Sequence, residues 1–192
     1  MIDLGSYTLV LGSKSPRRQE LLKELGFSFS VRTKETDESY PDEMNPEQIP
    51  AFLAEKKALA LEKELTDTEL LITSDTIVVS GNEVLGKPEN ESEAEKMLLK
   101  LSGAEHRVIS GVCLCSSEKK RLFSVETKVF FRNLSEEEIK YYISNFRPMD
   151  KAGAYGIQEW IGMIGIERIE GSYYNVMGLP TAELWKELQT FK

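Results

Sequence analysis

The sequence has few of the residues that usually provide nucleophilic, redox or metal chemistry. Of its 192 residues, two are cysteines and one is a histidine. Cys113 and Cys115 are separated by one residue in a run that alternates like a β-strand, so both side chains should lie on one face. This spacing favours neither a disulfide nor a CxxC metal pair. We expect two free thiols packed in or near a hydrophobic core.

The sequence also lacks long apolar runs and an excess of positive charge. No stretch of about twenty apolar residues is present, so no membrane-spanning helix is expected. The first residues, Met1 to Ser6, do not combine a basic segment with an apolar run, which is the pattern of a secretory signal. We therefore expect a cytoplasmic protein without a membrane partner. The net charge of −8 argues against nucleic acid as a partner, because binding its phosphates needs clustered positive charge.

Length and composition indicate one globular domain over residues 1–192. Hydrophobic residues make up 41% and charged residues 29%, which is ordinary for a folded domain and leaves the chain short for two independent ones. Strand and helix patterns follow one another along the chain, so we expect a mixed α/β fold. Two lobes around a cleft are compatible with this length.

Local patterns predict most of the secondary structure. Strands are expected over residues 7–11, 27–33, 70–80, 108–115 and 123–131, and the last two should form a hairpin. Helices should begin at Pro16, at Asn45-Pro46, near Ser92 and Ser135 as capping residues with Glu95 and Glu138, and at Thr181. Residues 160–169 are apolar and interrupted by glycine, which fits helix and strand equally, and residues 171–180 should be a loop.

The segment between the first strand and the first helix has the features of a phosphate-binding loop. Gly12-Ser13-Lys14-Ser15 is made mostly of small residues, which let a backbone approach a phosphate, and a helix N-terminus favours negative charge. Lys14, Arg17 and Arg18 add positive charge at the same place. The segment does not match a Walker A loop. The alternative is an ordinary Ser-Pro helix start with solvated arginines.

Asp75 is the strongest candidate for an acidic catalytic group. It lies inside an apolar strand pattern, where a carboxylate without a partner or a metal would be costly to bury. The alternative is a turn or cap at the end of a strand. Glu38, in a polar loop, could supply a second carboxylate for a hard cation. Lys57 and Lys87 could supply positive charge, although both also fit a solvated surface.

These residues together indicate metal-assisted hydrolysis of a phosphoanhydride. They provide a phosphate-binding loop, several cations and one or two carboxylates, and the chain shows no recognisable serine or cysteine nucleophile motif. His106 is flanked by Glu105 and Arg107 before a strand, and without such a nucleophile we expect it to be structural.

Six motifs distributed over nearly the whole chain carry a family resemblance. They are Ser13–Arg18, Glu55–Ala58, Ser74–Val78, Gly86–Pro88, Lys151–Gln158, and Ile169–Tyr173 leading to Gly178–Pro180. In order and spacing this set closely resembles the Maf proteins, which are nucleoside triphosphate pyrophosphatases also known as septum formation inhibitors.

The resemblance implies a fold, a set of site residues and a cofactor. The fold would be Maf/ITPase-like, with a central mixed twisted sheet and flanking helices forming two lobes around a substrate cleft. Asp75 would be the proton acceptor and, with Glu38, would bind Mg²⁺ or Mn²⁺. The phosphates of a nucleoside triphosphate would be held by Ser13, Arg17, Arg18, Lys57 and Lys87. Related proteins also suggest a homodimer.

The resemblance further implies a preference for dTTP and UTP. Arg17, Thr76 and Gln158 match the branch of the family that resembles dTTP and UTP pyrophosphatases. In the sister branch, which acts on 7-methyl-GTP, Gln follows the catalytic Asp and Glu ends the later motif. Gln158 can offer a donor and an acceptor to uracil or thymine, and modified pyrimidine nucleotides would suit a housecleaning role. The alternatives are a pyrophosphatase for 7-methyl-GTP or noncanonical purine nucleotides, and a non-catalytic nucleotide-binding regulator of septum formation.

Overall fold

A mixed β-sheet forms the centre of the computed structural model, which describes residues 4–191. Its strands are β1 (Thr8–Leu11), β2 (Phe29–Val31), β3 (Glu69–Ser80), β4 (Glu83–Leu85), β5 (Glu105–Cys115), β6 (Lys120–Phe131) and β7 (Ile166–Glu170). The sheet order is β2-β1-β3-β5-β6-β7, and β4 pairs with β3. β1 runs parallel to β2 and β3, whereas β3 with β4 and β6 with β7 are antiparallel. The predicted mixed α/β fold is confirmed.

Seven α-helices lie in the same residues. They are α1 (Pro16–Glu24), α2 (Ile49–Glu62), α3 (Glu91–Leu101), α4 (Glu136–Phe146), α5 (Trp160–Gly165), α6 (Tyr173–Met177) and α7 (Thr181–Thr190). The predicted helix starts at Pro16 and Thr181 are confirmed, as is the capping box in which Ser135 and Glu138 satisfy each other's backbone N–H groups. Within the described residues, no helix combines the length and apolar character needed to cross a membrane.

The capping box predicted at Ser92 is wrong, because α3 begins earlier. Asn90 has an extended backbone, and its side chain accepts a hydrogen bond from Glu93 N at 3.0 Å. Ser92 is therefore already inside the helix. Asn90 and Ser92 are both favourable capping residues, and the pattern alone does not decide between them.

Two further sequence expectations need correction. α2 begins at Ile49, and the residues after Asn45 form hydrogen-bonded turns instead. Pro50 explains this start, because proline lacks an N–H and is tolerated only in the first turn. The expected loop over 171–180 contains α6, where Ser172 Oγ accepts a hydrogen bond from Asn175 N at 3.3 Å. The ambiguous segment 160–169 divides into α5 and β7.

The chain folds into two compact units, each with its own hydrophobic cluster. The first comprises the chain up to Asp75, Ser110–Val125 and the chain from Gly178 onward, and the second comprises Thr76–Ile109 and Glu126–Met177. One cluster of the first unit contains Val10, Ala54, Ala58, Leu61, Leu71, Cys113 and Cys115. The single domain over residues 1–192 stays a prediction.

In the first unit, α2 lies very close to the sheet. A Cβ atom at Gly111 of β5 would be 2.2 Å from the backbone of Pro50 and Ala51, so only glycine permits this approach. Thr73 of β3 is fully buried, and its hydroxyl donates to the carbonyl of Ala54 at 2.6 Å. These two contacts hold the first turns of α2 against β3 and β5. They therefore fix Lys57, which lies one turn beyond Ala54.

The two cysteines are buried, as the sequence predicts, and His106 is buried as well. Both thiols are free, and burial raises the pKa of Cys113 to about 12 and that of Cys115 to about 11. In the second unit, His106 Nε2 lies 2.8 Å from the hydroxyl of Tyr155, and its ring meets Phe131 edge-on. Burial lowers the pKa of His106 to about 4, so the ring is neutral at physiological pH.

Candidate active site

The loop between β1 and α1 turns tightly against β3. Gly12 N donates to the carbonyl of Ile72 at 2.8 Å, and a Cβ atom at Gly12 would lie 2.6 Å from the side chain of Thr73. Ser13 Oγ accepts a hydrogen bond from Ser15 N at 3.2 Å, which closes the turn before Pro16 starts α1. The first turn of α1 carries no acidic residue, so its own side chains do not neutralise the positive end of the helix dipole.

Arg18 connects this loop to the strand that carries Asp75. Its Nε donates to the carbonyl of Gly178 and its Nη1 to the carbonyl of Ser74, both at 2.8 Å. Burial lowers the pKa of Arg18, and the charge of Asp75 opposes this shift. Arg18 therefore supports the backbone immediately before Asp75, a structural task that its sequence position does not reveal.

Asp75, Lys57 and Glu38 form one group of charges. Lys57 Nζ lies 2.5 Å from Asp75 Oδ1 and 2.8 Å from Glu38 Oε1. The side chains of Lys57 and Asp75 are 17% and 14% exposed, whereas that of Glu38 is 53% exposed. β3 continues through Asp75 to Ser80, so the alternative of a cap or turn at a strand end is wrong. The carboxylate of Asp75, which would be costly to bury alone, therefore has Lys57 as its charged partner.

The loop that carries Glu38 is held by the neighbouring lysine of α2. Lys56 Nζ contacts Asp37 Oδ2 at 2.9 Å and the carbonyl of Ser39 at 3.0 Å. Hydrogen bonds from Ser39 and Lys56 lower the pKa of Asp37. Lys56 thus binds the residues on both sides of Glu38, while Lys57 binds Glu38 itself. This arrangement explains how an exposed loop brings a carboxylate to Lys57.

The carboxylates of Asp75 and Glu38 are a fitting but incomplete donor set for a divalent ion. Among residues 4–191, no three His, Cys, Asp or Glu side chains form a group that could hold a metal. Mg²⁺ usually takes one or two carboxylates and completes its octahedron with water and substrate phosphates. The two carboxylates that contact Lys57 therefore suit Mg²⁺ that is also bound by water and substrate phosphates. They are too few for a site made of protein ligands alone.

Thr76, Lys87 and Gln158 belong to the second unit. Thr76 is half-buried on β3, and Lys87 is exposed beside Gly86. The carbonyl of Gly86 accepts a hydrogen bond from Gly153 N at 3.0 Å, which ties the turn containing Lys87 to the segment that ends in Gln158. The Oε1 atom of Gln158 is buried and accepts no hydrogen bond from any residue that the structure describes. A buried oxygen of this kind usually accepts a hydrogen bond from an ordered water molecule or from a ligand.

Three polar residues beside Gln158 escape sequence reasoning. Tyr142 Oη accepts from Gly156 N at 3.0 Å and donates to the carboxylate of Glu159, which also contacts Lys151 Nζ at 3.0 Å. Burial raises the pKa of Tyr142, and the hydrogen bond to Glu159 adds to this shift. Lys151 is the first residue of the motif Lys151–Gln158 and Glu159 follows its last, but no spacing rule connects either of them to a tyrosine of α4.

The described structure thus brings Ser13, Arg18, Lys57, Glu38 and Asp75 together in the first unit, with Arg17 half-buried in the first turn of α1. The roles assigned to all of these residues stay predictions.

Known proteins resemble this chain over almost its whole length. The model of the family described as "Maf-like protein" matches residues 8–191. A dTTP/UTP pyrophosphatase of Phocaeicola vulgatus is 52% identical over 97% of each chain. A protein of the same name from Flavobacterium johnsoniae is 49% identical over 97% of this chain and 96% of its own.

A solved structure gives a more distant comparison. The Staphylococcus aureus Ham1 protein has 15% sequence identity and a TM-score of 0.50, and the match covers 94% of this chain and 99% of that one. At this identity the likeness concerns the fold alone, and it agrees with the predicted α/β architecture. The family model and the two relatives, in contrast, match this chain in amino-acid sequence over nearly every element described above. This chain belongs to the Maf family.

Proposed function

We propose that this protein is a nucleoside triphosphate pyrophosphatase that hydrolyses dTTP and UTP to the monophosphate and pyrophosphate. The observation that carries the proposal is the contact of Lys57 with both Asp75 and Glu38, beside a loop suited to phosphate. Relatives that are 49% and 52% identical carry the name dTTP/UTP pyrophosphatase, which supports the choice of substrate.

The chemistry that we propose is attack of water on the α-phosphorus. Asp75 orients the water and accepts its proton while the oxygen of the water bonds to the α-phosphorus. The bond from the α-phosphorus to the oxygen that bridges it to the β-phosphorus breaks, and pyrophosphate leaves with the bonding electrons. The phosphates are held, and the charge of the leaving group is offset, by Ser13, Arg17, Arg18, Lys57 and Lys87.

Asp75 and Glu38 are the residues that would hold Mg²⁺ or Mn²⁺. When bound, the ion supplies positive charge that neutralises the phosphates of the substrate. Lys57 contacts both carboxylates in the structure. We infer that it exchanges at least one of them for a phosphate oxygen when the nucleotide binds.

Base recognition is assigned to Gln158, with Arg17 and Thr76 as further specificity residues. The carboxamide of Gln158 can donate one hydrogen bond and accept another, which matches the donor and acceptor edge of uracil and thymine. Its buried Oε1 lacks a partner among the described residues, so a donor on the base would satisfy it. A role in nucleotide-pool housecleaning follows from this activity. A cytoplasmic location, a homodimer and a link to septum formation stay predictions.

The test is the release of pyrophosphate by the purified protein from dTTP, UTP, CTP, GTP, ATP and 7-methyl-GTP, with Mg²⁺ or Mn²⁺. The proposal expects the highest kcat/KM for dTTP and UTP. Preference for GTP or 7-methyl-GTP would contradict the pyrimidine assignment and leave the pyrophosphatase assignment intact. Binding of nucleotide without turnover of any substrate would favour the regulatory alternative.

A further inference from the structure

The segment that leads to Gln158 contains residues with positive φ angles. Arg147 and Ala154 have φ angles of 46° and 58°, and they are the non-glycine residues with positive φ between residues 4 and 191. Gly153, beside Ala154, has a φ angle of 68°. Strained conformations of this kind persist only where the surrounding contacts over-determine them, and they cluster at functional sites. The contacts that hold residues 147–159 therefore show which part of this segment the fold keeps rigid.

Tyr142 of α4 is the central contact of this segment. Its ring is fully buried, and its hydroxyl accepts the N–H of Gly156 at 3.0 Å while donating to the carboxylate of Glu159. This hydroxyl thus donates one hydrogen bond and accepts another, and its two partners lie on either side of Ile157 and Gln158. The backbone at Gly156 and the side chain of Glu159, on either side of Gln158, are thus tied to the same helix.

Lys151 joins the start of the segment to its end. Its side chain is 8% exposed, and its Nζ lies 3.0 Å from Glu159 and 2.7 Å from Asp150. These side chains lie directly over Gly156, because a Cβ atom there would be 2.9 Å from Glu159 Cδ and 3.1 Å from Lys151 Cε. The ion pair is thus packed against the backbone that it fixes.

The rigidity of this backbone matters because a glutamine carboxamide can hydrogen-bond to a base in either of two orientations. Uracil and thymine present an acceptor oxygen beside a donor N–H, whereas cytosine presents a donor amine beside an acceptor nitrogen. A carboxamide that is free to turn over can satisfy either edge. Rejection of cytosine therefore requires that the buried Oε1 atom of Gln158 keep its place, because uracil and thymine offer it an N–H donor whereas cytosine offers it an acceptor nitrogen. A rigid backbone around Gln158 leaves its carboxamide less room to turn over.

We propose that Tyr142, Glu159 and Lys151 are positioning residues that fix the segment around Gln158 and so let it discriminate uracil and thymine from cytosine. The proposal rests on the proposed function, since it takes Gln158 as the residue that contacts the base. It adds three residues to which the proposed hydrolysis assigns no contact with the phosphates or the water.

The experiment compares Tyr142→Phe with Tyr141→Phe, which removes the same hydroxyl from the adjacent residue, whose side chain is exposed. The readout is kcat/KM for UTP divided by kcat/KM for CTP. We expect this ratio to fall about tenfold in Tyr142→Phe, through a lower value for UTP and a higher one for CTP, and to change less than about twofold in Tyr141→Phe. Glu159→Ala should behave like Tyr142→Phe, and it keeps the test open if Tyr142→Phe does not fold.

A merely structural role would lower turnover of both nucleotides together and leave the ratio unchanged. An unchanged ratio in a folded Tyr142→Phe or Glu159→Ala protein would overturn the proposal.

Hydrogen exchange at the Gly156 amide gives a readout that does not depend on turnover. Loss of its acceptor in Tyr142→Phe should accelerate this exchange at least about tenfold, with no change in Tyr141→Phe. Exchange at the wild-type rate would overturn the proposal as well. A wild-type protein that does not hydrolyse UTP would instead contradict the proposed function, and the exchange rate would still decide whether the hydroxyl holds this segment.

Discussion

Replacement of Gly111 by alanine tests how α2 positions Lys57. The added Cβ atom would lie 2.2 Å from the backbone of Pro50 and Ala51, and carbon atoms prefer separations of about 3.5 Å or more. The start of α2 must therefore move away from β5 by about 1 Å. Overpacking of this kind typically costs about 1–3 kcal/mol. For a chain of this size the cost corresponds to a Tm lower by about 2–12 °C.

The same displacement should reduce activity, because α2 carries Lys57. A shift of about 1 Å in a catalytic group can lower the rate about a hundredfold, so we expect kcat/KM for UTP to fall by about ten- to a hundredfold. Gly86→Ala is the control for stability, since its Cβ would meet no atom within 4 Å. Its Tm should stay within about 2 °C of the wild-type value.

Calorimetry and pyrophosphate release provide the two measurements. If Gly111→Ala keeps both the Tm and the activity of the wild type, the close contact between α2 and β5 does not position Lys57, and the reasoning fails.

Three other predictions concern folding and buried groups. Between pH 7 and 5, His106 becomes protonated in the unfolded chain but not in the folded protein, where its pKa is about 4. Over this range the unfolding free energy should therefore fall by about 2 kcal/mol more in the wild type than in His106→Gln, as measured by urea unfolding at both pH values. Asn90→Ala should lower the unfolding free energy by about 1 kcal/mol and Ser92→Ala by much less, and the reverse order in denaturant titrations would contradict the assigned cap. Cys113 and Cys115 should react with a thiol reagent at pH 8 only after unfolding, and rapid reaction of the native protein would show that they are accessible.

The candidate site divides into parts that the sequence predicts and parts that it does not. Asp75 could be identified because a carboxylate inside an apolar strand needs a partner, which is a local argument. Lys57 became a candidate mainly through the family resemblance. The pattern of α2 gives no reason to prefer it to Lys56, because the difference comes from packing across β3 and β5 at Thr73 and Gly111.

The fold shows the same limit. Strand and helix periodicity predicted a mixed α/β domain with most of its strands and helices, since burial on one face repeats along the chain. The central mixed sheet was implied by the family resemblance. The start of α3 depends on which of two neighbouring polar residues caps it, and both fit the rule. The contacts of Tyr142 with Gly156 and Glu159 join a helix to a loop 14 and 17 residues away, and no local periodicity encodes such a contact.

The central claim is that water attacks the α-phosphorus with the help of Asp75. It is tested most directly by hydrolysis of UTP in water enriched in oxygen-18, followed by mass spectrometry of both products. Our account predicts one labelled oxygen in UMP, none in pyrophosphate, and a rate at least about a hundredfold lower in Asp75→Asn. Label in pyrophosphate, or Asp75→Asn that turns over like the wild type, would contradict it.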